Sequence, residues 1–228
     1  MESAFARRSL AGALCAQGQE VQDHAGGRVM NHDQTFRVVL IVGWLILLPI
    51  VAYHRISSQA TREKLDRRQE GLFVLSTLRP VGIAHILGLL AYMVNPLRMA
   101  WSTLTLPDWS RWMGVGVGVV AGCLLIWTLL SLGKNLTDTV VTRKEHTLVM
   151  TGPYRWVRHP FYDSIALCVL GNSLTAANGF LFTTGGLLLV LFIVRTKKEE
   201  EQLLARFGDA YRAYMNRTGR FLPRTRAS

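Results

Sequence analysis

Three long runs of apolar residues constrain the fold of this chain more than any other feature of its sequence. Residues 38–51, 112–132 and 179–194 are almost wholly hydrophobic, and the charged residues lie in the segments between them. A helix of about 20 apolar residues matches the hydrocarbon core of a bilayer. The sequence therefore predicts an all-α integral membrane protein.

About five transmembrane helices are expected. Residues 36–53, 80–101 and 112–132 form the first three, and the Asn95-Pro96 pair is expected to end or kink the second. Residues 161–194 would make a single helix of roughly 50 Å, and polar residues interrupt the middle of this segment. We interpret it as a tight hairpin of two helices.

The basic residues predict which side of the membrane each connection faces. Of the 26 Lys and Arg, twenty lie in residues 54–80, 134–160 and 195–228, and six lie on the alternate connections. The positive-inside rule then places these three segments in the cytosol, and a short chain with few external loops fits a multi-pass protein of a prokaryotic inner membrane. The net charge of +11 fits an anionic membrane surface, with membrane lipid as a partner and no nucleic acid.

Two local patterns are interpreted as structural. Gly114, Gly118 and Gly122 lie inside an apolar run with no preceding strand, so they predict a small-residue packing face and not a nucleotide-binding loop. The three cysteines are an odd number at wide spacing, which indicates neither a disulfide framework nor a metal site.

The densest polar segment is residues 151–162, Thr-Gly-Pro-Tyr-Arg-Trp-Val-Arg-His-Pro-Phe-Tyr. Its arginines and aromatic residues could simply anchor the chain at the membrane interface. However, Pro153 and Pro160 restrict the backbone around Arg158 and His159, which favours a rigid loop that presents side chains reproducibly.

The second polar segment, residues 195–214, continues the last apolar run as a charged helix. Its apolar stripe is typical of an amphipathic helix on anionic headgroups. Arg195 and Glu199 stand one helical turn apart and could form a simple surface pair. Taken alone, this segment has a sufficient structural explanation.

Together, the two segments resemble the isoprenylcysteine carboxyl methyltransferase family, which is related to phospholipid methyltransferases. The resemblance covers about residues 131–223. It is carried by Arg158-His-Pro-x-Tyr162, by Glu199-Glu200-x-x-Leu-x-x-x-Phe-Gly-x-x-Tyr211, and by Asn135 and His146. The chain departs from the family at Ser164, where Gly is usual, and at Asp163, where an apolar or small residue is usual.

The resemblance implies three regions and a cytosolic S-adenosylmethionine pocket. Residues 1–35 would be a disordered tail, residues 36–130 accessory transmembrane helices, and residues 131–224 the catalytic region. The pocket would be formed by the loop before the fourth span and the C-terminal helix. The implied cofactor-binding residues are Tyr154, Trp156, Arg158, His159, Pro160, Tyr162, Glu199 and Glu200.

Within that pocket, Arg158 and His159 could hold the cofactor carboxylate, one glutamate could accept hydrogen bonds from the ribose or ammonium group, and the aromatic residues could pack on adenine or the sulfonium. Because neighbouring helix residues point about 100° apart, the other glutamate should pair with a cation.

The implied reaction is methyl transfer to a lipophilic small-molecule or prenylated acceptor. The acceptor group that the resemblance implies is the carboxylate of an isoprenylcysteine-like substrate, which Arg195 would orient as the leading catalytic candidate. Asn135 and His146 are the secondary candidates, and an amine or thiol acceptor would need His146 or a glutamate as base.

Two other functions are compatible with parts of the pattern. A membrane sterol or enone reductase using NADPH shares the Arg-His-Pro-x-Tyr element, but it usually ends in a Lys-Tyr-Gly-x-x-Trp segment that this chain lacks. A basic membrane anchor without catalytic activity would explain the charge and not the glutamate pair.

Overall fold

The computed structural model describes residues 33–57, 74–133 and 148–224. Six α-helices lie in these ranges: α1 Asp33–Ser57, α2 Arg79–Val94, α3 Asp108–Leu132, α4 Pro160–Ala176, α5 Gly179–Phe207 and α6 Asp209–Arg217. A π-helical turn, Val74–Leu78, precedes α2, and 3-10 segments cover Pro96–Ser102 and Gly152–Arg155. Isolated bridges are the only β-structure within the described ranges, so the predicted all-α class is confirmed.

Among the described residues, four helical segments are long and apolar enough to cross a bilayer: Asp33–Ser57, Ser76–Val94, Asp108–Leu132 and Gly179–Phe207. The chain is therefore an integral multi-pass membrane protein. The remaining predicted span corresponds to α4, a helix of 17 residues that packs along α3 and forms the predicted hairpin with α5. Five complete crossings remain a prediction, and so does the side of the membrane on which each connection lies.

The second span ends earlier than the sequence pattern predicts. Helix α2 stops at Val94, and Asn95 is extended, with φ −158° and ψ 114°. A residue before proline avoids helical geometry, and the Asn95 side chain accepts a hydrogen bond from the Leu97 amide instead. The expected break at Asn95-Pro96 is confirmed, whereas continuation of the span to residue 101 is wrong.

Helices α3 and α4 approach each other closely at three glycines. A Cβ built on Gly171 would lie 2.8 Å from the Gly118 amide nitrogen and 2.9 Å from the Gly114 carbonyl oxygen, so the two backbones are in direct contact there. A Cβ on Gly114 would lie 2.6 Å from the Leu174 Cβ, which confirms Gly114 as part of a packing face. Gly118 contributes its backbone to this contact, but a Cβ on it would meet nothing within 4 Å. Gly122 faces α1 instead, where its Cβ would make an ordinary contact of 3.8 Å with Leu47.

The turn between α4 and α5 is only two residues long and is buried. Ala177 adopts the left-handed conformation, with φ 49° and ψ 50°. The Asn178 side chain accepts from the Leu181 amide at 3.2 Å and donates to the Met99 carbonyl oxygen at 3.2 Å. The predicted tight hairpin is thus confirmed, and its tip is attached to the 3-10 segment that follows α2.

A buried arginine joins the helices at this same end of the bundle. Arg111 of α3 donates to the carboxylate of Asp33 at 2.8 Å, to the carbonyl oxygen of Thr175 at 3.0 Å and to the hydroxyl of Tyr92 at 3.0 Å. Its guanidinium also lies 4.0 Å from the ring centre of Phe36. A buried charge is tolerated when it is paired in this way, so α1, α2 and α4 are all held to α3.

Helix α1 begins at Asp33, which falls inside the tail of residues 1–35 that the sequence predicts. Residues 1–32 lie outside the described residues, so disorder there stays a prediction. The division into accessory helices and a catalytic region also stays a prediction.

Candidate cofactor site

The polar segments at the two ends of the α4–α5 hairpin meet at one end of the bundle. Helix α5 continues without a break from its apolar part through Arg195 to Phe207, because Glu, Gln, Leu, Ala and Arg are good helix formers. Gly208, with φ 53°, ends α5 and turns the chain into α6. This turn brings α6 and the residues after it back toward the loop that precedes α4.

That loop is held against the end of α3 by a glycine. Gly152 has φ 59°, and a Cβ at this position would lie 2.0 Å from the Ser131 hydroxyl oxygen. Only glycine meets both requirements without strain. The close approach places the 3-10 segment Gly152–Arg155 beside α3, where the rings of Trp127 and Trp156 meet edge to face at 5.6 Å.

Glu200 is the centre of the site. Its side chain is 6% exposed and accepts hydrogen bonds from three donors. Arg158 donates through Nε at 2.9 Å and His159 lies with Nε2 at 3.2 Å, both on Oε1, while Arg220 donates to Oε2. Because a carboxylate only accepts, the imidazole of His159 must carry its proton on Nε2 in this contact. The other ring nitrogen of a neutral His159 is then an acceptor.

Arg158 also holds the end of α6 and the residue that follows it. Its Nη1 donates to the carbonyl oxygens of Met215 at 3.2 Å and Thr218 at 2.5 Å, and the side chain is 10% exposed. These contacts, together with Glu200, connect the loop, α5 and the end of α6 through one guanidinium. Arg158 therefore acts in this structure as a scaffold for the site.

Tyr162 and Glu199 form the neighbouring half of the site. The Tyr162 hydroxyl donates to Glu199 Oε2 at 2.8 Å, and its ring stacks on Phe192 at 5.0 Å and on His159 at 5.7 Å. Arg195 lies close enough for its charge to act on the Tyr162 phenol. Of the two adjacent glutamates, Glu200 thus pairs with Arg158 and Arg220, and Glu199 accepts from the tyrosine.

Residues at the start of α4 are packed tightly beneath this site. Pro160 occupies the first helical turn, where its missing N–H costs nothing, and it is fully buried. The Ser164 hydroxyl donates to the Pro160 carbonyl oxygen at 2.8 Å. The hydroxyl that replaces the family glycine is therefore satisfied within its own helix.

Two tyrosines of the second polar segment complete the buried part of the site. Tyr214 donates to the Tyr154 carbonyl oxygen at 2.7 Å and so holds the loop against α6. Burial, with the nearby charge of Glu199, raises the pKa of Tyr154 well above its usual value, so this phenol stays protonated. Tyr211 is 1% exposed, and its hydroxyl has no hydrogen-bond partner among the described residues.

The structure brings together most of the residues predicted for the site. The members that lie together are Tyr154, Arg158, His159, Pro160, Tyr162, Arg195, Glu199 and Glu200. Trp156 is 47% exposed and packs on Trp127 at the rim. Asn135 and His146 lie outside the described residues, and the roles of all these residues remain predictions.

Sequence reasoning missed Arg220 and Tyr211 as members of the site. Tyr211 was visible as part of the family pattern, but its buried hydroxyl was not. Arg220 follows the charged helix in a basic segment where nothing distinguishes it from its neighbours. Only the fold shows that it reaches Glu200, twenty residues earlier in the chain.

Comparison with known proteins connects this site to one family. Residues 114–205 match the model of the isoprenylcysteine carboxyl methyltransferase (ICMT) family. The protein-S-isoprenylcysteine O-methyltransferase of Homo sapiens is 30% identical over 126 residues, which cover 54% of this chain and 44% of that protein. The methanethiol S-methyltransferase of Mycobacterium tuberculosis is 36% identical over 70 residues, which cover 31% of this chain and 28% of that protein.

A solved structure, the eukaryotic intramembrane Ras methyltransferase ICMT without a monobody, is similar with a TM-score of 0.48 and 19% identity, over 82% of this chain and 72% of that one. The family resemblance predicted from the sequence is confirmed by the family match. The chain covers less than half the length of the human relative.

Proposed function

Because residues 114–205 match the model of the isoprenylcysteine carboxyl methyltransferase family, we propose that this protein is an S-adenosylmethionine-dependent membrane methyltransferase. The observation that carries the proposal is the convergence on Glu200. The Arg158-His159 pair comes just before α4, and the Glu199-Glu200 pair lies in the last part of α5. Although the whole hairpin separates them in sequence, they form one buried cluster. A simple anchor on a lipid surface has no need for such an arrangement.

The residues present suit a ligand with the chemistry of S-adenosylmethionine. Tyr211 has a buried hydroxyl beside Glu200 and Arg158 that no described residue satisfies. Unsatisfied buried polar groups are rare and call for an explanation. A ribose or amino-acid group would supply the missing hydrogen bond.

Each polar group of the site has a distinct role toward such a ligand. Glu199 accepts a hydrogen bond from Tyr162, and its carboxylate has room to accept further ones from an ammonium group or a ribose hydroxyl. The acceptor nitrogen of His159 suits the same donors. The rings of Tyr162 and Phe192 offer a stacked aromatic surface to a cation or a purine.

The reaction requires little chemistry from the protein beyond positioning. Bound S-adenosylmethionine supplies a methyl group activated by its sulfonium. Arg195 stands where α5 leaves its apolar part and can orient an anionic acceptor beside Tyr162. A carboxylate needs no base, and its charge is neutralised during transfer, so exclusion of water favours the reaction.

We infer that the acceptor is lipophilic and carries the carboxylate of an isoprenylcysteine-like group. The name of the human relative specifies this chemistry for that protein, and the name of the mycobacterial relative specifies a small thiol for that one. The positive charge of Arg195 favours a carboxylate over a thiol as the acceptor group. We further propose that the site faces the cytosol of a prokaryotic inner membrane, as the distribution of Lys and Arg indicates.

The decisive experiment is calorimetric titration of the detergent-purified protein with S-adenosylmethionine, and with NADPH in parallel. Saturable binding of S-adenosylmethionine that is lost in Arg158→Ala is the expected result. A screen of radiolabelled methyl transfer to prenylated cysteine, methanethiol and a phospholipid amine then identifies the acceptor. Binding of NADPH alone would refute the proposal and favour a membrane reductase.

A further inference from the structure

The chain that follows α6 doubles back along the loop before α4. We call residues 218–223 the strap. The Arg158 amide donates to the Gly219 carbonyl oxygen at 2.9 Å and the His159 amide to the Arg220 carbonyl oxygen at 3.1 Å. The Gly219 amide donates in return to the Trp156 carbonyl oxygen at 3.3 Å, which completes a short parallel bridge. The strap therefore pairs with the backbone of the two residues that carry the site.

The strap turns sharply at its own start. A Cβ on Gly219 would lie 1.6 Å from the Leu222 carbonyl oxygen, so the backbone folds back on itself at a point that only glycine permits. This turn places the Phe221 ring 5.9 Å from the His159 ring, so that Phe221 and Tyr162 are both aromatic neighbours of this histidine. Aromatic neighbours and the bond to Glu200 together restrict the His159 ring.

Arg220 is the third hydrogen-bond donor to Glu200, after Arg158 and His159. Oε1 of Glu200 is shared by Arg158 and His159, while Oε2 is bound by Arg220. The hydrogen bond to Glu200 raises the pKa of Arg220, so this side chain stays charged. Arg220 is 36% exposed, whereas Glu200 is 6% exposed, so the strap covers a buried carboxylate from the solvent side.

We propose that the strap is the closing element of the cofactor site and that Arg220 is a positioning residue, which acts on cofactor affinity through Glu200 and His159. The inference rests on the proposed function. Without Arg220, Oε2 of the buried Glu200 carboxylate loses its hydrogen bond from the guanidinium, and Glu200 can turn away from His159. The acceptor nitrogen of His159 is then no longer held in one place.

The test compares Arg220→Ala, Arg220→Lys and Arg224→Ala in the full chain in detergent, each titrated with S-adenosylmethionine. Arg224 is the matched control, because it is exposed, lies just beyond the strap and donates to the Asn216 carbonyl oxygen and not to Glu200. Arg220→Ala should weaken binding by about tenfold or more. Arg220→Lys, which keeps the charge, should restore most of the affinity, and Arg224→Ala should bind like the wild type.

A second measurement needs only the wild-type chain. Ligands stabilise the state to which they bind, so saturating S-adenosylmethionine should slow tryptic cleavage after Arg220. Cleavage after Arg98, which is exposed in the 3-10 segment at the opposite end of the bundle, should be unaffected. This readout does not depend on how well the variants fold.

The outcomes separate this inference from the proposed function. If the wild type does not bind S-adenosylmethionine, both are refuted. If the wild type binds and Arg220→Ala binds equally well, or the ligand leaves cleavage after Arg220 unchanged, the role of the strap is refuted and the proposed function stands. Loss of affinity in Arg220→Ala without rescue by Arg220→Lys would also overturn the role assigned to the charge.

Discussion

Arg158 Nε lies 2.9 Å from Glu200 Oε1, and this contact connects the loop before the α4–α5 hairpin to the helix that follows it. The two residues are 42 positions apart, so their contact depends on the hairpin closing completely. The carboxylate is enclosed by donors from the loop and from the strap. Removal of its charge should therefore affect both folding and cofactor binding.

Glu200→Gln should lower the free energy of unfolding by about 3 kcal/mol, because it leaves buried cations without their counter-charge. The amide nitrogen of Gln would also face a donor, whichever way it turns. Differential scanning fluorimetry of the variant in detergent measures the loss. Glu201→Gln is the control, since Glu201 is exposed, and it should change stability by less than about 0.5 kcal/mol. An unchanged melting temperature in Glu200→Gln would contradict the central role of this residue.

Tyr162→Phe tests the other half of the site. The substitution removes the hydrogen bond to Glu199 and keeps the rings stacked on Phe192 and His159. A hydrogen bond to a charged group is worth about 1.5–3 kcal/mol, so kcat/KM for methyl transfer should fall about ten- to a hundredfold. Tyr53→Phe, on an exposed position of α1, should have no effect. Full activity of Tyr162→Phe would exclude its hydroxyl from the reaction.

Gly152→Ala should release the loop from the end of α3. The left-handed conformation is about 1–2 kcal/mol less favourable for alanine than for glycine, and the alanine Cβ would overlap the Ser131 hydroxyl. Both the melting temperature and the affinity for S-adenosylmethionine should drop. Adding Ser131→Gly removes the overlap but not the backbone strain, so the double variant should recover part of the loss.

Gly116→Ala is the matched control for that experiment. A Cβ on Gly116 meets nothing within 4 Å. Because alanine is the better helix former, this variant should be as stable as the wild type or more stable. If Gly152→Ala behaves in the same way, the loop does not need its close approach to α3.

Arg111→Met tests the opposite end of the bundle. The variant leaves Asp33 without its cation and removes the bonds to Thr175 and Tyr92, which should cost about 3 kcal/mol of stability. At a temperature where the variant is folded, its affinity for S-adenosylmethionine should equal that of the wild type. Adding Asp33→Asn removes the orphaned charge and should restore part of the stability, as thermal unfolding will show.

The helices could be predicted because the bilayer imposes their length and polarity. A run of apolar residues has few alternatives in lipid, and a proline such as Pro96 ends a helix by a local effect. The hairpin turn was predictable for the same reason, since Asn178 and Gly179 interrupt an apolar segment too long for one span. The extent of the second span was less accurate, because the apolar pattern continues past Pro96 into a 3-10 segment, Pro96–Ser102, that is not part of α2.

The site was only partly predictable, because its contacts are between residues distant in the chain. The types and spacing of Arg158, His159, Glu199 and Glu200 indicated a shared site through their resemblance to a family. The assignment of Glu200 to the arginines and of Glu199 to Tyr162 depends on the rotation of α5 against α4, which no local pattern specifies. In the sequence, nothing distinguishes Arg220 from the other arginines near it, and its contact with Glu200 appears only in the folded structure.

The attachments of Asn178 have a mechanical consequence. Asn178 bonds the hairpin tip to the connection after α2, and Arg111 bonds the end of α4 to α3. The helices are therefore fixed to one another at this end of the bundle. Any parting of α2 from α5 is then hinged at that end and widens toward the other, where Arg195 and Glu199 stand. Under the proposed function, such a parting would give a lipophilic acceptor a lateral route between α2 and α5 to the site.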